Sequence, residues 1–158
     1  MRRIGTSICA VGLLVGAGCA ALPFLLFSDT VRVTLINETG SSVDVELFLS
    51  DEQNIPRLLL LEVDKDFVDR LGERVDMLIL PGGRLSFFRS CDDLQAIVVG
   101  DADLNVLGGL GPDASSDVIR DGSDFGCGDE IQFIFHDGGN LLDFDVDVVV
   151  LEPTFAIG

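Results

Sequence analysis

The chain has 158 residues, 27 of them acidic and 10 basic, for a formal charge of −17 at pH 7. So acidic a surface repels phosphate backbones and anionic lipid head groups, which disfavours nucleic-acid binding. Eleven Phe but no Trp and no Tyr leave no usual platform for stacking sugar rings, which disfavours a glycosidase or a carbohydrate-binding module.

Met1-Arg2-Arg3 is followed by residues 4–28, which carry no charge. A basic start, an apolar middle and small residues ahead of a cysteine form the layout of an export signal. Val15-Gly16-Ala17-Gly18-Cys19 resembles the lipid-attachment segment of small bacterial lipoproteins. Ala17 and Gly18 match the small residues of that pattern, whereas Gly16 stands where the family carries a large aliphatic residue. The resemblance implies a lipid on Cys19, an immunoglobulin-like domain behind it, and a cell-envelope protein that binds or helps assemble a partner. Two other readings stay open. Residues 8–27 are long enough to remain as an uncleaved membrane anchor helix, and a peptidase cutting near Ala20 and Ala21 would release a secreted domain. All three place residues 1–28 in a signal or anchor, and residues 29–158 in one domain outside the cytoplasm, periplasmic or surface-exposed.

Beyond the leader the dominant period is two. Val31, Val33 and Leu35 alternate with Arg32 and Thr34; Val43, Val45, Leu47 and Leu49 alternate with Asp44 and Glu46. Leu142, Phe144, Val146, Val148 and Val150 alternate with Asp143, Asp145 and Asp147. Each pattern predicts a half-buried strand with one wet face. Residues 94–99 are apolar on both faces apart from Gln95, as a central strand requires. Residues 75–80 and 85–89 flank Pro81-Gly82-Gly83 as an expected hairpin, and 131–135 is expected to pair with the strand after Asp137-Gly138-Gly139-Asn140. Further turns are expected at Asn37-Glu38-Thr39-Gly40, as a second hairpin, and at Gly100-Asp101. Segments 104–107 and 117–120 are weaker strand candidates.

One stretch near 55–71 has helical features: Asn54 as cap, Pro56 in the first turn, an apolar stripe of Leu59, Leu60, Val63, Phe67 and Leu71, and Gly72 as stop. Its four consecutive leucines, 58–61, suit a buried strand equally well. About eight short strands at regular spacing give an all-β, antiparallel sandwich, immunoglobulin-like or jelly-roll-like.

Four cysteines are present. With Cys9 in the leader and Cys19 as the lipid site, Cys91 and Cys127 remain as a pair in an oxidising compartment, where a disulfide is expected. Two cysteines and one distant histidine are too few ligands for zinc.

The single histidine, His136, shares strand phase with Gln132 and so is expected to face solvent; its neighbour Asp137 points the other way, and no Gly-x-Ser-x-Gly elbow exists. Asp124-Phe125-Gly126 matches the letters of a kinase magnesium motif, but no other kinase element accompanies it. Its glycines suit a tight turn around Cys127. Asn37-Glu38-Thr39 fits the glycosylation pattern.

Cation binding is the constructive option. Asp101, Asp103 and Asn105 have the 1-3-5 oxygen spacing that opens a calcium loop. Val106 then replaces the required Gly, and Pro112 the bidentate Glu, so an EF-hand is excluded. A looser Ca2+ site would join Asp101 and Asp103 to Asp92, Asp93 or Asp113. The Asp143, Asp145 and Asp147 ladder is spaced by about 7 Å per step, too wide for one ion, and reads as a solvated face that also blunts edge pairing. Of the 27 acids 20 are Asp, which suits either a salty medium or hard cations. The expectation is a non-catalytic, membrane-tethered interaction or structural module with a protein partner, no nucleic acid and no obligate cofactor. The alternatives are a calcium-dependent adhesion or scaffold module and a secreted hydrolase with an acidic site.

Overall fold

The computed structural model describes residues 29–62, 72–106, 111–138 and 143–153. Nine strands occur among them: Thr30–Asn37 (β1), Ser42–Ser50 (β2), Glu73–Ile79 (β3), Arg84–Ser90 (β4), Ala96–Asn105 (β5), Asp113–Ala114 (β6), Ile119–Arg120 (β7), Glu130–Asp137 (β8) and Phe144–Leu151 (β9). A single turn of helix, Arg57–Leu60 (α1), interrupts them. The strands form two sheets. One has the order β4-β1-β8-β9; the other runs β3-β2-β5-β6, with β7 also on β5. Every pair is antiparallel except β1 with β8.

The period-two pattern is what makes this a sandwich. Val31, Val33 and Leu35 of β1 face Val43, Val45 and Leu47 of β2 across one core, joined by Phe133 and Phe135 of β8. All eight are essentially without solvent contact. Leu142, expected at the head of the β9 pattern, lies outside the described residues, as does Leu107.

β5 is buried on both faces, as its unbroken apolar run requires. Ile97 and Val99 point into the main core. Ala96 and Val98 point outward and are covered by Phe48, Ile55 and Leu60 in a second, smaller cluster. That cover explains α1: Leu60 is buried, whereas Leu58 is 79% exposed. Pro56, not Asn54, holds the capping position ahead of Arg57, and no side chain caps the helix. Val63, Phe67 and Leu71 lie outside the described residues.

One expected turn and two expected hairpin pairings are corrected. Gly100-Asp101 does not end a strand; it lies inside β5. Glu46 pairs with Asp101 while Leu47 pairs with Val99, so Gly100 is an extra residue at a bulge. The bulge shifts the side-chain phase by one. Upstream the odd residues 97 and 99 face the core; downstream it is Ala102 and Leu104. Without the shift, Asp101 and Asp103 would be driven inward. A methyl on Gly100 would overlap the Phe48 ring and lie 2.7 Å from Leu61 Cδ2. Gly100→Ala is therefore expected to cost roughly 1–3 kcal/mol, and less in a Phe48→Leu background; paired urea melts measure both.

The other two corrections share one cause. Residues 75–80 and 85–89 flank Pro81-Gly82-Gly83 but do not pair with each other: β3 pairs with β2 and β4 with β1. Likewise Asn37-Glu38-Thr39-Gly40 joins strands of different sheets. Both connections cross between the layers at one corner, and Asn37 ties them together. Its Nδ2 donates to the carbonyls of Ser41, Ile79 and Leu80, and its Oδ1 accepts from Thr39 N and Oγ1. The Asn37 side chain is buried (1% exposed) and fully engaged, so the Asn-Glu-Thr sequence offers no accessible acceptor for a glycan. β8 and β9 pair as expected, in register from Glu130 with Leu151 to Asp137 with Phe144; Gly139 and Asn140 of the expected turn lie outside the described residues.

Candidate functional site

The cation candidates fall on a strand rather than in a loop. Asp101, Asp103 and Asn105 sit at alternate positions of β5, opposite Glu46, Asp44 and Ser42 of β2. Asp103 also pairs with Asp113 of β6, and Asp76 of β3 lies opposite Glu46. The outer face of this sheet is thus a field of carboxylates. Like charges directly opposite one another in a sheet destabilise it. Arg74 relieves part of this, with contacts of 2.8 Å to both Glu46 and Asp76.

The residual repulsion is felt at Asp101. Burial, followed by the charges of Asp103, Glu46 and Asp113, holds its pKa above the ordinary value of 3.8. Asp92 and Asp93, offered as further ligands, lie beyond the far end of β4. Among the described residues no three or more His, Cys, Asp or Glu side chains converge to hold a metal ion.

Glu130, on the other sheet, shifts the opposite way. Burial raises its pKa, but hydrogen bonds from Gln132 and Thr34, with the nearby Arg32 and Arg84, outweigh that and hold it below 4.5. The two acids therefore give opposite pH dependences. The Asp101 contribution to stability is full below about pH 3.8 and is lost as pH rises through its raised pKa. The Glu130 contribution is full above about pH 4.5 and is lost as pH falls through its lowered pKa. Asp101→Asn should raise the melting temperature at pH 7, with the gap shrinking in acid. Glu130→Gln should lower it at pH 7, with that gap also closing in acid. Thermal melts across pH 3–7 read both.

His136 lies on the outward face of β8, as its phase predicts, but is half-buried, with its buried Nε2 3.1 Å from Oδ2 of the exposed Asp147 on β9. The Asp-Phe-Gly segment is structural: Phe125 is buried in the main core, and Gly128, with φ +95°, makes the turn that returns the chain to β8.

Cys91 and Cys127 are joined by a disulfide, their Cα atoms 5.5 Å apart. The bridge sits beside the start of β1. Cys91 N donates to Asp29 O, and Gly128 N donates to Thr30 O. The entry point of the domain is therefore clamped from both sides.

Next to the clamp lies a cleft of about 330 Å3, lined by Thr30, Arg32, Phe88, Glu130, Leu151 and Pro153 among others. Sequence reasoning missed it. The signal available was the phase of Arg32, Glu130 and Leu151, which share one outward row, but the row exists only once β1 is placed beside β8.

No protein-family model and no curated protein matches this sequence. Solved structures are similar in outline. The T6SS lipoprotein TssJ1 from Pseudomonas aeruginosa is 11% identical, with a TM-score of 0.44 over 80% of this chain and 99% of that one. A protein from Eubacterium rectale is 12% identical, with a TM-score of 0.41 over 80% and 93%. Serratia marcescens Lip, a membrane-bound component of the Type VI Secretion System, is 11% identical, with a TM-score of 0.38 over 76% and 96%.

Cys19 and the whole apolar leader lie outside the described residues. What the described chain brings together is a clamped entry point, a mixed apolar and charged cleft beside it, and an acidic face on the opposite sheet.

Proposed function

We propose that this is an exported, membrane-tethered β-sandwich that acts as a non-catalytic interaction or structural module of the cell envelope. The observation that carries the reading is the Cys91–Cys127 disulfide. Such bonds persist in oxidising compartments and are rare in the cytosol. The bond supports the same side of the membrane that the basic start and the uncharged residues 4–28 require. Within the tethered reading, Cys19 carries the lipid and the acidic sheet face stays in water, available to a protein partner.

The test is metabolic labelling with a fatty acid in a bacterial host. The wild-type chain should be labelled and recovered with membranes, and Cys19→Ser should lose the label. A chain that is never labelled yet stays with membranes would favour an uncleaved anchor. One recovered free in the medium would end the tethered reading altogether. Melting with and without calcium separates the proposal from a calcium-dependent scaffold, which would gain stability on binding.

A further inference from the structure

β1 begins at Thr30 and β9 ends at Leu151, and both lie at the same end of the four-stranded sheet. One row crosses all four strands there: Phe88, Arg32, Glu130 and Leu151 are consecutive register partners. Phe88 and Leu151, at the two ends of the row, are 42% and 45% exposed. Between them Arg32 lies 4.9 Å from the centre of the Phe88 ring and 3.5 Å from Glu130.

The sequence on either side of this row is apolar. Ala20-Ala21-Leu22-Pro23-Phe24-Leu25-Leu26-Phe27 runs up to it, and Phe155-Ala156-Ile157 follows it. Phe27 is three residues from Thr30, a reach of roughly 10 Å at most. The disulfide clamp fixes that entry point.

From this the geometry points to a lipid contact. The end of the four-stranded sheet carrying Phe88, Leu151 and Pro153 seats on a zwitterionic lipid interface. The inference rests on the tethered reading above and adds an orientation to it. Phe88 and Leu151 would bury their exposed surface at the acyl boundary. Arg32 would meet lipid phosphate, while the exposed Glu152 would meet the ammonium groups. Anionic lipid fits less well, because the domain is itself strongly acidic. The acidic face of the other sheet would then point away from the head groups.

The absence of Trp and Tyr makes a clean optical test available. Full-length Phe88→Trp, Leu151→Trp and Leu78→Trp variants would each be reconstituted into phosphatidylcholine vesicles, with and without brominated acyl chains. Leu78, on the outer face of the five-stranded sheet and 53% exposed, is the control. The expected result is blue-shifted emission, lost in brominated vesicles, for Phe88→Trp and Leu151→Trp only. Vesicle-bound protein in which all three variants emit alike and unquenched overturns the lipid contact but leaves the tether standing. Blue-shifted emission that bromine does not quench means that protein covers this end, and also overturns it. Protein that does not float with vesicles overturns the tethered reading and the contact together.

Discussion

Replacing Cys91 and Cys127 together by serine is expected to lower the stability of the exported domain by about 4 kcal/mol. The two residues are 36 apart in sequence, and restricting a loop of that length in the unfolded chain gives a value of this size. The place of the bridge in the fold makes the effect specific. The chain leaves the four-stranded sheet after β4, builds β5, β6 and β7 into the other sheet, and returns at Cys127. The bond closes the base of that excursion. The ladder of β5 with β2 does not run through either cysteine, so the variant should still fold and should melt roughly 10–20 °C lower. Urea melts of the oxidised chain, the reduced chain and the double variant measure it. Coincident midpoints for all three would show that the bond adds nothing.

Asn37→Ala should cost about 3 kcal/mol, because several buried groups lose their partner at once. The carbonyl of Ile79 and the amide of Thr39 are bonded to this side chain in the buried corner, and an unsatisfied buried group costs about 1–3 kcal/mol. Asn37→Asp should be no better. It keeps the bonds from Thr39 but turns a carboxylate toward the carbonyls that the amide now donates to. Glu38→Ala, at an exposed position next door, should change little. If Asn37→Ala unfolds at the same urea concentration as Glu38→Ala, the corner does not depend on the amide.

The bridge and the corner differ in how far the sequence foretold them. The bridge follows from counting: two cysteines remain once the leader is set aside, and export oxidises them. The corner was legible only as turn chemistry. Pro81-Gly82-Gly83 and Asn37-Glu38-Thr39-Gly40 have the same residue types whether the next strand folds back on its neighbour or crosses to the opposite layer. That choice is made by Val33 and Leu35 on one side and Val43 and Val45 on the other, which bury each other only if β1 and β2 lie in different sheets.

The candidate cation site shows the same boundary. The spacing of Asp101, Asp103 and Asn105 suggested a calcium loop, whereas the structure places the three at alternate positions of β5. Spacing could not show that they stand on a strand. The local signal at Gly100-Asp101 is a turn signal, and only the Phe48 ring packed against Gly100 explains why a glycine is needed in mid-strand. The acids that raise the pKa of Asp101 come from β2 and β6 as well as from β5, so its environment is a property of pairing.

By itself the sequence determined most of the strands, the inner and outer faces of β1, β2, β8 and β9, the two-layer class and the pair of cysteines. These are all consequences of side-chain alternation and composition, which act over a few residues. The tertiary structure decided strand order, the parallel contact of β1 with β8, the bulge at Gly100 and the row from Phe88 to Leu151. Those depend on which apolar faces meet across about 100 residues of chain, and many partners bury an alternating strand equally well until the whole core is packed.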